Sequence, residues 1–308
     1  MVAAAGSARA GPALAGPALI DALDDDVDRL LHAEPEVRED RPDSVHAMRV
    51  ATRRLRSLLR SYRGLLQPGP VREIRDELRW LATLLGTARD AEVRADRFEA
   101  LLEDVPADNS GDAQRRTIRR LVRTERVHYS AAHRVVLREL NGPRYAHLVA
   151  ALLELRRRPP LRPGRAEAEA TRAFGSVLRN DFRDLRRLAG DETALRADPA
   201  STEDQRIEHL HDIRKSAKRL RYSAEAAARV LGDPATELAG RAKKLQSVLG
   251  DHRDAIEAMD TIRTTAARTR TTDTSPFDRL YQSEADAARK ALEQYSPAIE
   301  FVRLPYQP

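Results

Sequence analysis

Two stretches of the chain concentrate positive charge, and a histidine stands near the start of each. Residues 44–66 contain six arginines and no acidic residue, and residues 213–224 contain five lysines or arginines and again no acidic residue. Arginine binds phosphate oxygens bidentately, lysine supplies a compact charge, and histidine adds a donor that gains charge on protonation. Residues of these types without intervening acids predict recognition of phosphate groups on an anion.

The spacing of the first stretch places its cations on one face of a helix. When each residue advances the helix by about 100°, five of these residues fall within an arc of about 80°. They are His46, Arg49, Arg53, Arg56 and Arg60, here named the first stripe. Met48, Leu55 and Leu58 lie on the opposite side, which predicts an apolar face for packing. At about 1.5 Å per residue, the first stripe is roughly 20 Å long.

The second stretch repeats this arrangement. Its second stripe consists of His211, Arg214, Lys218 and Arg221, with Lys215 and Arg219 beside it. Ile213 and Leu220 lie on the opposite face. Like charges at helical spacing repel one another and destabilise an isolated helix, so a polyanionic partner is the simplest explanation for two such stripes.

The two stretches belong to a longer internal repeat. VHAMRVATRRLR (45–56) aligns without gaps on LHDIRKSAKRLR (210–221), with five identities. LLGTARD (84–90) and VLGDHRD (248–254) follow at nearly equal distances. Because both motifs recur in the same order, the sequence predicts two related halves packed around a pseudo-two-fold axis.

The helix after each stripe is predicted to extend the basic surface. Its candidate residues are Arg79 and Arg89 in the first half, and Lys243, Gln246 and Arg253 in the second. Gly86 and Gly250 lie on the same faces. Since glycine lacks a side chain, we expect another backbone or an anion to approach closely there.

Helices are the elements that must position these residues. Aromatic residues make up only 4% of the chain, and helical periodicity recurs almost throughout, whereas strand alternation is nearly absent. The pattern predicts an all-α protein of two four-helix bundles. Its helices are expected at 43–66, 71–103, 112–140, 144–157, 166–190, 204–231, 235–270 and 275–296. The expected organisation is a flexible tail (1–17), a first repeat (18–158), a Pro-rich linker (159–165), a second repeat (166–296) and a C-terminal tail (297–308).

Several functional classes find no support in the sequence. There is no cysteine, so thiolate chemistry and cysteine-ligated metals are excluded. Neither a nucleotide phosphate loop nor a paired-histidine metal motif occurs, and no nucleophile and base can be matched. We therefore expect no catalytic residues, no metal and no cofactor. The chain also lacks a signal peptide and any apolar run long enough to cross a membrane, which favours a cytoplasmic protein without a membrane partner.

The paired motifs resemble those of the conserved histidine α-helical domain, or CHAD, family over residues 18–296. The resemblance implies two four-helix bundles enclosing a basic pore or groove, binding of inorganic polyphosphate, and association with polyphosphate granules. It maps the family's motif onto His46, Arg49, Arg53, Arg54, Arg56 and Arg89, and onto His211, Arg214, Lys215, Lys218, Arg219, Arg221 and Arg253. The matching Asp90 and Asp254 are expected to orient neighbouring arginines. No β-barrel triphosphate-tunnel enzyme module, which accompanies some relatives, is visible.

Three other functions remain open from the residues. The stripes could bind RNA or DNA non-specifically, although such proteins usually interleave aromatic residues for base stacking, and only Tyr62 and Tyr222 lie nearby. The protein could be an enzyme of polyphosphate metabolism, or a scaffold that docks an acidic protein. The two histidines could contact phosphate or serve the structure alone.

Overall fold

The computed structural model describes residues 13–103, 105, 111–269 and 273–304. Over these residues the chain forms helices joined by turns, with two isolated β-bridges and no strand. The helices are α1 (Ala15–Arg38), α2 (Ser44–Ser61), α3 (Pro68–Ala100), α4 (Asp112–Leu140), α5 (Pro143–Arg157), α6 (Ala170–Ala197), α7 (Glu203–Leu231), α8 (Asp233–Arg268), α9 (Ser275–Glu293) and α10 (Tyr295–Ile299). The predicted all-α class is confirmed.

Local sequence signals account for where the long helices begin. Proline stands in the first turn of α3, where its missing N–H has no helical partner to lose. The start of α7 carries a reciprocal cap, in which Thr202 accepts from the Gln205 amide and the Gln205 side chain accepts from the Thr202 amide. Gly232 has a φ of 67° between α7 and α8, so the chain can reverse there without strain.

The two halves share a hydrophobic core. Consecutive long helices pack against one another within each half, and α2 also packs against α7 across the halves. One cluster of buried side chains runs through both halves, and in it the Tyr62 and Phe174 rings lie 4.6 Å apart. The Tyr62 hydroxyl donates to the Ser223 carbonyl at 3.0 Å. This junction fixes α2 beside α7; the internal duplication of the halves stays a prediction.

A second, smaller cluster joins the halves at a different place. Phe98 of α3, Leu121 of α4, Ile262 of α8 and Phe277 of α9 are buried there. An ion pair between Arg97 Nη2 and the buried Glu284 carboxylate, at 2.6 Å, connects α3 to α9 beside it. The basic helices α2 and α7 are therefore held at the main core, while the far ends of the α3–α4 and α8–α9 hairpins are held together separately.

The segment between the halves is tied to the first half. It contains no regular helix at 159–165, as expected, but Arg162 donates its amide to the Leu65 carbonyl at 2.8 Å, and Leu66 forms a bridge with Leu161. These bonds hold the predicted linker against the turn that follows α2.

Both predicted tails include residues that are ordered parts of the fold. Helix α1 begins at Ala15, because Ala15 and Gly16 donate their amides to carbonyls of residues 168 and 166. At the other end, Ile299, Phe301 and Val302 are buried against the second half. Short apolar segments such as 298–302 lack a full helical period, so the sequence pattern did not distinguish them from a tail. Residues 1–12 and 305–308 lie outside the described residues.

Candidate anion-binding cleft

The two stripes meet at one cleft of about 350 Å³ between the halves, here named the main cleft. Helix α2 supplies one wall, α7 the opposite wall, and the first part of α3 completes it. The lining residues are Arg53, Arg56, Ser57, Arg60, Arg75, Arg79, His211, Arg214, Lys215, Lys218 and Tyr222. None of these described residues is acidic.

The apolar faces of α2 and α7 turn the cations toward the main cleft. Met48 and Leu55 on α2, and Ile213 and Leu220 on α7, have no solvent exposure. Because they are fixed in the shared core, the opposite face of each helix must carry its charged residues to the surface. The predicted angular separation of charge and core is therefore the geometry that builds the cleft.

Lys218 sits at the centre of this charge. Burial, together with the charges of Arg53, Arg214, Arg49 and Arg221, lowers the pKa of Lys218 to about 6. Burial and the neighbouring Arg49 likewise lower the pKa of Arg53 to about 10. Burial and the surrounding arginines of both halves thus shift Lys218 toward its neutral form in the free cleft.

Several lining cations lack an acidic partner. Among the described residues, no carboxylate lies within ion-pairing distance of Arg53, Arg56, Arg214 or Lys218. Burial, followed by the charges of Arg79 and Arg75, lowers the pKa of Arg56 as well. The main cleft thus carries positive charge that the protein itself does not neutralise.

An arginine covers the glycine of the following helix in each half. A Cβ built on Gly86 would lie 3.6 Å from Nε and Nη2 of Arg49, and one on Gly250 would lie 3.4 Å from Nη2 of Arg214. The expected close approach at these glycines is thus made by a guanidinium group of the protein. The Nε atoms of Arg49 and Arg214 are buried and have no hydrogen-bond partner among the described residues. Asp90 pairs with Arg49 at 3.3 Å, as expected, whereas no such pair forms between Asp254 and Arg214 in the described residues.

Two predicted site residues, Arg54 and Arg219, pair with buried carboxylates of the fold and are here called the framework arginines. Arg54 contacts the buried Asp26 of α1 at 3.1 Å and also pairs with Glu225 of α7. Arg219 contacts the buried Asp181 of α6 at 2.9 Å and Asp184 at 2.5 Å. The prediction that Arg54 and Arg219 line the site is corrected on this point, because both guanidinium groups are directed to carboxylates outside the main cleft.

A carboxylate also neutralises one arginine of the second stripe. Glu225 accepts from Arg221 Nε at 2.7 Å, and Gln246 accepts from Arg221 Nη1 at 3.3 Å. Two guanidinium groups lie near the Tyr222 ring, with the Cζ atoms of Arg54 and Arg221 at 5.5 and 5.3 Å from its centroid. Gln246 therefore orients an arginine, and Arg221 reaches the cleft region already paired.

The other predicted residues lie around the main cleft. Arg79 and Lys215 line it and pair with Asp76 at 3.0 Å and Asp212 at 2.6 Å, respectively, each on its own helix. Outside the lining, Arg89 pairs with Asp43 and Glu92, Arg253 pairs with Glu257, and Lys243 is exposed on α8. These peripheral cations are mostly neutralised locally.

The two histidines differ in position. His211 lines the main cleft and its Nδ1 is buried without a hydrogen-bond partner among the described residues, whereas His46 lies outside the lining and reaches solvent. Burial and then the charge of Lys215 lower the pKa of His211; partial burial and then the charge of Arg89 lower that of His46. Because both pKa values are lowered, both imidazoles are neutral in the free protein at neutral pH.

Three lining residues, Arg75, Ser57 and Tyr222, were outside the predicted site. The spacing along α3 does place Arg72 and Arg75 on one stripe with Arg79 and Arg89. Ser57 and Tyr222 carry no charge, and only the tertiary packing of α2 on α7 brings them to the cleft. In the part of the chain that the structure describes, no cluster of His, Asp or Glu residues could hold a metal ion. No helix there is both long and apolar enough to cross a membrane.

Together the fold and the cleft define a class: an all-helical protein in which two basic helices from different parts of the chain face each other. The CHAD domain family model matches residues 21–263. The chain belongs to the CHAD domain family.

Relatives and solved structures agree with this assignment. The chain is 35% identical over 281 residues to the uncharacterized proteins MT2285 and Rv2226 of two Mycobacterium tuberculosis strains, covering 90% of this chain and 52% of each relative. It therefore spans about half the length of these curated relatives. The fold is similar to that of PptA from Streptomyces chartreusis, with a TM-score of 0.74, 20% identity, and coverage of 94% of this chain and 100% of that one. It is also similar to the CHAD domain from the plant Ricinus communis, with a TM-score of 0.67, 20% identity, and coverage of 99% and 97%.

Proposed function

We propose that this protein binds inorganic polyphosphate in the main cleft. Cations of both halves face one another there without acidic partners among the described residues, and this observation carries the proposal. Burial, together with the charges of the neighbouring arginines, lowers the pKa of Lys218 to about 6. A linear phosphate chain supplies closely spaced negative charges and requires no other chemical recognition. Binding it would relieve the repulsion between Arg53, Arg214 and Lys218 and would restore the charge of the lysine.

The burial of the one tyrosine ring in the described lining favours a polymer without bases. Tyr222 is 5% exposed, and the guanidinium groups of Arg54 and Arg221 lie near its ring. This ring is therefore covered by protein, whereas single-strand nucleic acid binders present open aromatic faces for base stacking. We therefore favour inorganic polyphosphate over RNA or DNA as the ligand of this cleft.

We further propose a binding role without catalysis, and association with polyphosphate granules in the cytoplasm. The described lining consists of lysines and arginines with His211, Ser57 and Tyr222, and it contains no carboxylate that could orient His211 as a base or hold a metal ion beside the phosphates. Incubation with long-chain polyphosphate and Mg²⁺ should leave the chain-length distribution unchanged. Shortening or extension of the polymer would replace this proposal with that of an enzyme.

Competition binding tests the ligand directly. A labelled long-chain polyphosphate is bound to the protein and displaced by unlabelled polyphosphate or by single-stranded RNA at equal phosphate concentration. We expect polyphosphate to compete at least about tenfold better than RNA, with an affinity that falls steeply as salt rises, because many phosphate contacts release counterions. Equal competition by RNA would identify a general nucleic acid binder, and capture of an acidic protein without binding of polyphosphate would identify a scaffold.

Variants in the main cleft locate the binding. Arg53→Ala with Arg56→Ala removes two unpaired cations of α2 and should lower polyphosphate affinity about a hundredfold, at 1–2 kcal/mol for each charge-assisted contact. The matched control is Arg116→Ala with Arg119→Ala, which removes the same charge from exposed positions on α4. An equal loss in both proteins would mean that net charge, rather than the cleft, governs binding.

A further inference from the structure

A second cleft lined by arginines adjoins the main cleft at the predicted linker. It has a volume of about 310 Å³ and lies where the turn after α2 meets the start of α3. Its charged lining residues are Arg63, Arg72, Arg75 and Arg162, and none of the described residues lining it is acidic. We name it the linker cleft.

The linker cleft and the main cleft share a residue. Arg75 of α3 lines both, and Arg60 and Arg63 bring the end of α2 to the boundary between them. Burial and then the charges of Arg219, Arg75 and Arg63 lower the pKa of Arg60 against the opposing charge of Asp181, which lies outside both linings. Burial and then the charges of Arg79 and Arg75 lower the pKa of Arg56. Positive potential therefore continues from one cleft to the other without an intervening carboxylate in either lining.

The segment between the halves holds Arg162 in place for this cleft. Its amide donates to the Leu65 carbonyl at 2.8 Å and its Nε donates to the Leu66 carbonyl at 2.7 Å. Gln67 strengthens the same junction, since its amide donates to the Pro160 carbonyl at 2.7 Å and its side chain to the Leu161 carbonyl at 3.1 Å. With Nε engaged by the backbone, the terminal nitrogens of Arg162 are free of carboxylate partners among the described residues.

We propose that the linker cleft is a second phosphate-binding site, and that a polyphosphate chain long enough to leave the main cleft continues across Arg75 into it. This inference rests on the proposed function of the main cleft. It assigns a binding role to the segment between the halves, and it makes affinity depend on chain length: tripolyphosphate occupies one cleft, whereas a long chain engages both at once. Two linked clefts raise the affinity for a polymer that spans them beyond that of either cleft alone.

The test removes two exposed cations of the linker cleft and compares short with long ligands. Arg63→Ala with Arg72→Ala leaves the backbone contacts of Arg162 intact, which is why Arg162 is not the residue changed. We expect about a five- to tenfold loss of affinity for long-chain polyphosphate and a salt slope lower by about one to two. Binding of tripolyphosphate should change less than about twofold, because the main cleft is untouched.

The matched control is again Arg116→Ala with Arg119→Ala on α4. If the unaltered protein binds no long-chain polyphosphate, the function proposed for the main cleft fails. If it binds, and the linker-cleft variant matches the α4 control, the second site is wrong while the first stands. Equal losses for tripolyphosphate and the long chain would also overturn the extension, since they would place Arg63 and Arg72 at the same phosphates as the main cleft.

Discussion

Helices α2 and α7 share a sequence pattern but differ in how their positive charge is neutralised. Arg53, Arg56 and Arg60 of α2 line the main cleft without a carboxylate partner among the described residues. At the aligned positions α7 carries Lys218, Arg221 and Glu225, and the last of these neutralises the second. The α2 wall therefore holds fixed, unpaired charge, whereas the α7 wall holds a titrating lysine and an internal ion pair.

Adjacent positions of the motif differ in their acidic neighbours, and they do so in the same way in both halves. The second basic residue of each RR or KR pair, Arg54 or Arg219, contacts a buried aspartate from the preceding helix. The first of each pair, Arg53 or Lys218, has no carboxylate within ion-pairing distance among the described residues, and burial and neighbouring arginines lower its pKa. The partner on the neighbouring helix therefore separates the two positions.

The largest expected effect is on stability, and it compares the two framework arginines. Among the described residues, Arg54→Ala leaves the buried Asp26 with Arg29 as its one cationic partner, at 2.7 Å, and should lower the free energy of unfolding by about 3 kcal/mol. Arg219→Ala should cost less, about 1–2 kcal/mol, because Asp181 still accepts from Ser61 and Ser223. Denaturant unfolding measures both.

The same two variants test the division of roles. Polyphosphate affinity of the folded Arg219→Ala protein should remain within about twofold of the unaltered value, since this guanidinium is held by α6. A loss comparable to that of the Arg53 and Arg56 double variant would contradict the assignment of Arg219 to the framework.

The next effect is a pH dependence of affinity, which we expect from the α7 wall and not from the α2 wall. Lys218 has a pKa of about 6 in the free cleft, and a bound polyanion must raise that pKa because it stabilises the ammonium form. Between the two pKa values binding takes up a proton, so affinity falls as pH rises above about 6. We expect about a tenfold loss between pH 6.5 and 8, measured by titration calorimetry in buffers of different ionisation enthalpy.

Lys218→Arg is the matched comparison. It gives α7 the residue found at the aligned position of α2, where Arg53 with a pKa of about 10 stays charged over this range. The variant should therefore bind with a flatter pH profile and take up less than half as much proton. His46 and His211 are common to both proteins, so identical profiles would attribute the proton to the histidines.

The smallest effect has the opposite sign. Glu225→Gln removes the one carboxylate that pairs with Arg221 and should raise polyphosphate affinity about threefold at low salt. Glu237→Gln on α8, which pairs with Arg241 of the same helix, makes an equal change in net charge away from the cleft. If both variants gain equally, the asymmetry between the walls has no influence on binding.

The helices and the orientation of the stripes were predictable because they follow local rules. Apolar residues at helical spacing predicted α2 and α7 within a few residues of their observed bounds, and the same spacing placed Arg53 and Arg56 on the face opposite Leu55. Arg54 lies outside that arc and was predicted as a site residue through the family motif, whereas Arg219 was already predicted beside the second stripe.

The features that could not be predicted from the sequence depend on tertiary packing. Asp26 and Asp181 come to Arg54 and Arg219 from other helices, and no local pattern identifies such partners. The depressed pKa of Lys218 likewise arises from arginines of both halves. The shared core was not predicted either. The Pro-rich segment predicts a boundary between two units, whereas buried residues on both sides of it form one cluster.

Because the two halves share one core, the main cleft can form only after both halves have been synthesised. The residues of α2 leave the ribosome long before those of α7, since Tyr62 precedes the carbonyl that it contacts, Ser223, by 161 positions. Until that partner arrives, the first half carries a basic helix with no opposite wall and exposes part of its apolar face. The growing chain thus completes the main cleft late, when the second basic helix docks.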